Sequence, residues 1–249
     1  MAESTQFLDG PHGRLAYAHC AGVSPGLVWL GGFRSDMRGS KAEFMEDWAR
    51  KNGRASLRFD YSGHGESDGD FADGTIGQWA SDAAHILTTL TDGPQILIGS
   101  SMGGWIAMLL AQRHPDRVAG MVLIAPAPDF TEALMWPGMD EATRQTLLTD
   151  GRIETPSAYS NEPEVITRAL IEDGRKHLVL DGTIPVSGPV RILQGMRDED
   201  VPWAHALRVV DCLDSDDIDC TLVKDGDHRL SSGRDLDRLG RTLTEITGL

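Results

Sequence analysis

The sequence predicts an α/β fold, in which a mostly parallel central sheet is flanked by helices on both faces and carries a small inserted helical cap. Two observations favour this fold class. Short apolar runs of strand length alternate with segments of helical periodicity along most of the chain, an order typical of parallel sheets. Some of the runs, such as those at 26–30 and 120–124, are apolar without interruption, which indicates strands that are buried on both faces.

The first half of the chain supplies most of the predicted elements. Strands are expected at 15–20, 26–30, 54–59, 95–98 and 120–124, and helices at 40–51, 76–90 and from 102 to the His114-Pro115 break. Reactive groups in such sheets lie at the carboxyl ends of the strands. We therefore expect the loops after Leu30, Ile98 and Leu193 to meet at one edge.

The pattern changes between residues 126 and 189, where prolines and short helical segments replace the alternation. Helices are expected there at 131–136, 141–148 and 165–173. The alternation then resumes, with strands at 190–193 and 219–223 and helices at 203–212 and 234–246. These shifts predict a core formed by residues 1–125 and 190–249 and a helical cap formed by residues 126–189.

Composition argues against several classes of partner. The 249 residues carry a net charge of -15 (23 basic minus 38 acidic), which disfavours nucleic acid and stable membrane association. Three cysteines without metal-ligand spacing indicate reduced thiols. No export signal or bilayer span is evident, so a cytoplasmic location is expected. The oligomeric state stays open.

Ser101 is the predicted nucleophile, within the segment Gly99-Ser100-Ser101-Met102-Gly103. The pattern G-x-S-x-G places a serine on a tight turn between a strand and a helix, where only small residues fit two positions before and after it. The same pattern surrounds Ser24 and Ser67. Neither of these lies between an aliphatic strand and an apolar helix, so we interpret both as loop serines.

A serine hydroxyl needs a base that is oriented by a carboxylate, and in this fold class the acid precedes the histidine along the chain. Asp198 follows the predicted strand at 190–193 and is the expected acid, with Asp200 of the same loop as the alternative. His228 follows the last predicted strand and is the expected base. An aspartate or a histidine at such a position is, by itself, also typical of a solvated loop. The order of Asp198 and His228 after Ser101, however, predicts a catalytic triad.

The oxyanion of an acyl-transfer reaction needs two backbone donors. The Met102 amide, directly after the nucleophile, is the first expected donor. The Phe33 amide is the second, because Gly31-Gly32 before it lets the backbone approach a substrate closely. An ordinary glycine turn is the alternative interpretation of this loop.

Apolar cap residues are the candidates for binding an acyl chain: Leu134, Met135, Trp136 and Met139. A packed lid that only covers the sheet is the alternative. Arg34 is a candidate contact for an anionic substrate group, or else a surface arginine. No metal or organic cofactor is predicted, because the sequence has no H-E-x-x-H and no G-x-x-x-x-G-K pattern.

These residues together resemble the α/β-hydrolases and, over nearly the whole chain, the α/β-hydrolase-domain protein ten family. The matching segments are Arg58 to Gly63, Asp92 to Leu97, Gly99 to Ser101, Gly103 to Trp105, Pro156-Ser157, Tyr159-Ser160, Gly195-Met196, Val201 to Trp203 and Asp227 to Arg229. That family comprises acyl-protein thioesterases, also described as acyl-glucuronide esterases. The resemblance implies the α/β-hydrolase fold, the same triad and a small-molecule or lipidated acyl substrate.

The expected function is hydrolysis of ester or thioester bonds through an acyl-enzyme on Ser101. The triad does not distinguish the two bonds, because attack and tetrahedral intermediate are alike. A carbon–carbon bond hydrolase or a cofactor-free haloperoxidase can use the same triad. A ligand-binding protein that kept the fold and lost catalysis is an alternative from another class.

Overall fold

The computed structural model of the chain describes residues 4–155 and 163–249. The resembling segments Pro156-Ser157 and Tyr159-Ser160 lie outside the described residues. The strands are β1 Gln6–Gly10, β2 Gly13–Cys20, β3 Val23–Leu30, β4 Arg54–Phe59, β5 Gln95–Ser100, β6 Val118–Ile124, β7 Arg152–Thr155, β8 Glu164–Thr167, β9 Ile184–Pro185, β10 Val190–Gly195, β11 Leu213–Asp214 and β12 Ile218–Val223. The α-helices are α1 Ser40–Lys51, α2 Ile76–Leu90, α3 Met102–Arg113, α4 Trp136–Gly138, α5 Glu141–Asp150, α6 Arg168–Gly174, α7 Trp203–Cys212 and α8 Gly233–Thr247.

Within the described ranges, eight strands form one sheet in the order β1-β2-β4-β3-β5-β6-β10-β12. The pairs β1–β2 and β2–β4 are antiparallel, and every pair from β4 to β12 is parallel. The predicted mostly parallel α/β sheet is confirmed. The carboxyl ends of β3, β5, β10 and β12 therefore lie at one edge, as predicted for the loops that carry the candidate residues.

Both faces of the sheet are buried. Val28 and Leu97 pack into a core cluster with residues of α2 and α3, whereas Leu27 and Ile96 pack into a second cluster with residues of α1 and α8. Successive side chains of a strand point to opposite faces, so an uninterrupted apolar run needs a partner layer on each side. The two layers of helices hold the strand ends in fixed positions.

Side-chain caps define where two of these helices begin. The hydroxyl of Thr75 accepts the Gln78 amide at the start of α2. Ser232 and Asp235 form a reciprocal capping box at the start of α8. Each cap satisfies backbone donors that the first turn of a helix leaves without intrahelical partners.

The described residues between 126 and 189 contain strands as well as helices. A π-helical turn at Thr131–Met135 leads into α4, and β7 pairs antiparallel with β8. The helix predicted at 165–173 is wrong for its first three residues, which lie in β8, because Val, Ile and Thr favour extended backbone. The helix itself starts at Arg168, after Thr167, whose hydroxyl accepts the Leu170 amide. The division of the chain into core and cap stays a prediction.

Two further details differ from the sequence analysis. The edge strand β1 was not predicted, and three of its five residues are exposed, so it has no apolar run to reveal it. Ser24, interpreted from the sequence as a loop serine, lies within β3, where the register with β4 shifts between Val23 and Leu27. Ser67 does lie in a loop, where its hydroxyl accepts the Ala16 amide.

No helix among the described residues has the length and apolarity that a bilayer span requires.

Candidate active site

Ser101 lies on the turn between β5 and α3 and holds a backbone conformation that L-residues rarely adopt, with φ 54° and ψ -117°. A Cβ on Gly99 would lie 2.5 Å from the Gly103 carbonyl oxygen, and a Cβ on Gly103 would lie 2.0 Å from the Leu30 carbonyl oxygen. Side chains at either position would therefore collide with backbone. The two glycines let β3, β5 and α3 meet closely around Ser101.

His228 follows β12 and reaches Ser101 across the edge of the sheet. Its Nε2 is 3.1 Å from Ser101 Oγ, and its Nδ1 is 2.9 Å from a carboxylate oxygen of Asp198. An ionised carboxylate only accepts hydrogen bonds, so Nδ1 carries the hydrogen and Nε2 is left to accept the hydroxyl hydrogen of Ser101. The structure thus brings the three predicted triad residues together, with a basic nitrogen facing the hydroxyl.

The Asp198 carboxylate is fully buried, with 0% of its side chain exposed. Besides His228, it accepts hydrogen bonds from the backbone amides of Asp200 and Val201 at 3.0 and 2.8 Å and from Nε2 of Gln194 at 3.0 Å. These donors offset the desolvation of the charge and fix the carboxylate's orientation. Asp200, the alternative acid, contributes its backbone amide to this arrangement.

Gln194 is a further residue of the site that no sequence motif indicates. It lies at the end of β10 with 0% exposure, and its Nε2 also donates to the carbonyl oxygens of Gly195 and Val201. Among the described residues, its Oε1 is buried without a hydrogen-bond partner. The signal that could have found it is a polar residue, Gln194, directly after the apolar pair Ile192-Leu193 and four positions before the predicted acid Asp198.

The loop that carries His228 is contacted by a partly buried lysine, Lys41. Lys41 Nζ donates to the carbonyl oxygen of Arg229, and Asp227 Oδ1 accepts the Leu230 amide at 2.9 Å. Burial lowers the pKa of Lys41 to about 8. These contacts fix the backbone on the C-terminal side of His228 and were not foreseen from the sequence.

The two predicted oxyanion donors lie beside Ser101. Met102 is the first residue of α3, and Phe33 follows the Gly31-Gly32 turn. A Cβ on Gly32 would lie 3.4 Å from Ser101 Cβ, so this turn is in contact distance of the serine. The role of these two amides as oxyanion donors stays a prediction.

Arg34, the candidate contact for an anionic group, connects the loop after β3 to the region of the predicted cap. Its guanidinium donates to the carbonyl oxygen of Pro163 at 2.9 Å and lies 5.1 Å from the ring centroid of Phe71. These contacts support an interpretation in which Arg34 fastens the cap. A role in binding an anionic group stays a prediction.

The four apolar candidates in the cap fall into two groups. Leu134 and Met135 pack against the main core cluster, which includes residues next to the Ser101 turn. Trp136 and Met139 pack only against a small separate cluster formed by Leu147, Ile153, Ile166 and Ile171, which Met135 also contacts. Trp136 also lies 5.2 and 4.6 Å from two guanidinium groups. The second pair is thus largely committed to packing within the cap region, and substrate contact by any of the four stays a prediction.

One group of three acidic or imidazole side chains in the described residues is close enough to share a metal ion. It consists of Asp198, Asp200 and His228, whose candidate ligand atoms all lie within 4.8 Å of one another. Both ring nitrogens of His228 already have partners in Asp198 and Ser101. We therefore interpret the group as a proton relay, and the absence of a metal requirement stays a prediction.

Comparison with known proteins relates the chain to a family. A family model described as serine aminopeptidase, S33, matches residues 32–177, more than half of the chain. The Mus musculus protein named palmitoyl-protein thioesterase ABHD10, mitochondrial, is 38% identical over 233 residues, which cover 93% of this chain and 78% of that protein. The cytoplasmic location predicted from the sequence is wrong by this comparison, because the relative is named mitochondrial.

Solved structures agree with this relationship. The structure of α/β-hydrolase domain-containing protein 10 from mouse superimposes with a TM-score of 0.91 at 37% identity, covering 98% of both chains. The crystal structure of a protein from Agrobacterium vitis S4 superimposes with a TM-score of 0.94 at 46% identity, again covering 98% of both chains. The whole described architecture, and not the sheet alone, is shared with these proteins.

Proposed function

Because the chain belongs to the α/β-hydrolase family that includes palmitoyl-protein thioesterase ABHD10, we propose that it hydrolyses long-chain acyl thioesters and esters through an acyl-enzyme on Ser101. Family membership makes the chain a carboxylic ester or thioester hydrolase. The observation that carries the proposed mechanism is the hydrogen-bonded series from Ser101 Oγ to His228 and from His228 to Asp198, at 3.1 and 2.9 Å.

The proposed reaction has two steps. His228 Nε2 takes the hydroxyl proton as Ser101 Oγ attacks the acyl carbonyl, and the resulting imidazolium returns the proton to the leaving thiol or alcohol. Water, activated by the same nitrogen, then attacks the acyl-enzyme and releases the acid. Asp198 keeps the Nδ1–H tautomer and stabilises the imidazolium through the 2.9 Å hydrogen bond.

The amides of Phe33 and Met102 are proposed to hold the oxyanion. Charge develops on the former carbonyl oxygen only as the tetrahedral intermediate forms, so donors aimed at that position lower the barrier more than they tighten substrate binding. Removing one such donor typically costs about 10²–10³ in rate. The two amides cannot be removed by side-chain substitution, which makes the loop that positions Phe33 important.

Apolar side chains near the oxyanion loop support a hydrocarbon substrate. The Phe33 ring packs edge-on against Phe71 and Phe130 at 4.9 and 5.6 Å between centroids, and Leu134 and Met135 border the same core cluster. Each methylene group that a substrate buries there would contribute about 0.8 kcal/mol, or roughly fourfold in an equilibrium or rate ratio. We propose that the acyl chain lies against these residues.

A series of p-nitrophenyl esters tests the acyl preference. The proposal predicts that kcat/KM rises with chain length beyond butyryl, by up to about fourfold per added methylene. An S-acyl-cysteine peptide, an acyl-CoA, an acyl-glucuronide and an amino-acid p-nitroanilide of comparable size then compare the leaving groups. The last substrate is included because the matching family model is described as an aminopeptidase.

The outcomes separate the chemistry from the specificity. A steep fall in kcat/KM after acetyl or butyryl would contradict the long-chain proposal and leave the hydrolase intact. Faster cleavage of the p-nitroanilide than of every ester and thioester would contradict acyl-ester hydrolysis as the main activity.

A further inference from the structure

His64 is a buried histidine that the proposed mechanism does not use. It lies in the loop after β4 with 4% exposure. The rings of Tyr61, Phe71 and Trp79 surround it, with centroids at 5.6, 5.1 and 5.1 Å. A titratable side chain in such an apolar site needs partners for both ring nitrogens.

The two partners define the state of the ring. Nδ1 lies 3.2 Å from the Ser62 carbonyl oxygen, which can only accept, so Nδ1 carries the hydrogen. Nε2 lies 3.3 Å from the backbone nitrogen of Arg34, whose N–H can only donate, so Nε2 accepts. Burial, together with the charge of Arg34, lowers the pKa of His64 to about 4, and the ring is therefore neutral at neutral pH.

The acceptor nitrogen thus holds a strained residue of the oxyanion loop. Gly32 to Ser35 form a turn in which the Gly32 carbonyl oxygen accepts the Ser35 amide at 3.1 Å and the Ser35 hydroxyl at 2.8 Å. Arg34, the third residue of this turn, has φ 58°. That conformation disfavours a residue with a side chain and normally selects Gly or Asn, so it needs external support.

The geometry of the turn determines where Phe33 N–H points. The Gly32 carbonyl and the Phe33 N–H belong to one peptide plane, so the bonds that Ser35 makes to the Gly32 oxygen also fix the Phe33 donor. The turn closes this way only while Arg34 keeps its positive φ. His64 and Phe33 also share the aromatic contacts Phe71 and Trp79, which restrains the loop from its side-chain face.

From this we infer that His64 is a positioning residue for the oxyanion hole, which through its hydrogen bond to Arg34 holds the Gly32–Ser35 turn with the Phe33 amide directed at the oxygen beside Ser101. The inference rests on the proposed function, since it assigns a role within the same site. It requires a neutral imidazole with Nε2 as an acceptor.

Two substitutions separate the hydrogen bond from the volume of the ring. His64→Met fills similar space without an acceptor at that distance, whereas the amide oxygen of His64→Gln can accept from Arg34 N–H. With p-nitrophenyl butyrate, His64→Met should lower kcat by about 10- to 100-fold with KM changed less than about threefold, because the oxyanion donor acts in the transition state. His64→Gln should recover most of that loss.

The inhibition constant of a transition-state analogue distinguishes positioning of the oxyanion donor from a purely structural role of His64. A trifluoromethyl ketone forms a tetrahedral adduct with a serine nucleophile, so its inhibition constant should rise for His64→Met by about the same factor as kcat/KM falls. His205→Met is the matched control: His205 is also buried, and its Nε2 lies 2.8 Å from the Pro128 carbonyl oxygen. That variant should shift the melting temperature without changing the inhibition constant.

The wild-type protein offers a test that does not depend on a folded variant. The ¹⁵N spectrum of the imidazole should show a protonated Nδ1 and an unprotonated Nε2 for His64. An Nε2–H tautomer would overturn the inference. So would a folded His64→Met variant with wild-type kcat and inhibition constant. An equal loss of kcat in His64→Met and His64→Gln would also overturn it. If the wild-type protein itself does not react with a fluorophosphonate, it is the proposed function that fails, and the two failures are thereby distinguished.

Discussion

The hydroxyl of Ser101 lies 3.1 Å from Nε2 of His228, although 127 positions separate the two residues along the chain. The parallel sheet explains this proximity, because the ends of β5 and β12 lie at the same edge. The loop after β10 adds Asp198 at 2.9 Å from the other ring nitrogen.

Asp198→Asn should lower kcat by about 10⁴-fold, because the amide no longer fixes the imidazole tautomer or stabilises its charged form. Steady-state kinetics with p-nitrophenyl butyrate measures the effect. Asp200→Asn is the control from the same loop, and it should retain activity within about threefold, because Asp200 supports Asp198 through its backbone amide. The opposite ranking of the two variants would assign the acid to Asp200.

Gln194→Met should lower both stability and kcat. It removes the donor that Asp198 receives at 3.0 Å and leaves two buried carbonyl oxygens without that partner, a change worth about 2–3 kcal/mol in the free energy of unfolding. Urea denaturation and kcat are the measurements. Gln95→Met is the control, because Gln95 is equally a buried hydrogen-bonded strand residue but lies at the start of β5. It should lose stability and keep kcat, and a wild-type kcat in Gln194→Met would contradict the proposed support of Asp198.

Gly103→Ala should prevent the close approach of α3 to β3. Its Cβ would lie 2.0 Å from the Leu30 carbonyl oxygen, so the backbone must move, and we expect a destabilisation of about 3 kcal/mol or more. Thermal unfolding measures it. Gly138→Ala is the control, since its Cβ would meet no atom within 4 Å, and its stability should be close to that of the wild type. Equal melting temperatures for both variants would contradict the packing argument.

The stability of the protein should carry a signature of His64 at acidic pH. Its pKa is lowered to about 4 in the folded state against about 6.5 in the unfolded chain, so the unfolded state binds more protons between these values. The contribution of the neutral His64 ring to the free energy of unfolding is therefore complete above pH 6.5. As the pH falls toward 4, the free energy of unfolding should decrease by up to about 3 kcal/mol because of this residue.

Asp60 acts in the opposite direction over part of this range. Burial raises the pKa of Asp60 to about 6, so the folded state binds more protons at this residue than the unfolded state between about pH 4 and 6. The contribution of Asp60 to the free energy of unfolding therefore falls as the pH rises through this range. The difference in unfolding free energy between the wild type and His64→Gln isolates the histidine, because Asp60 is common to both. That difference should shrink from pH 7 to pH 4, and a constant difference would show that His64 does not titrate as described.

Much of the fold could be predicted because the apolar pattern is strong. The helices α1, α2 and α7 and the strand β4 were bounded correctly, since each combines a clear period with a polar or glycine-containing boundary. The exposed edge strand β1 has no such pattern, and Val165 to Thr167 were assigned to a helix although their branched side chains favour β8. The secondary structure of such short segments depends on the elements that they pack against in the folded chain.

The same distinction applies to the site. Ser101, Asp198 and His228 were named because the order of strands and loops restricts where each can be. Gln194, Lys41 and His64 were not assigned roles, because each acts through a contact that only the folded chain creates. His64, for example, reaches Arg34 over a separation of 30 residues and has no motif that indicates an acceptor for a turn amide.

Covalent labelling tests the central claim most directly. A fluorophosphonate probe should add one adduct to the wild-type protein, located at Ser101 by peptide mass spectrometry, and Ser101→Ala should take up none. Ser24→Ala, from a second G-x-S-x-G sequence, should label at the wild-type rate. An unlabelled wild type, or undiminished labelling of Ser101→Ala, would contradict the account.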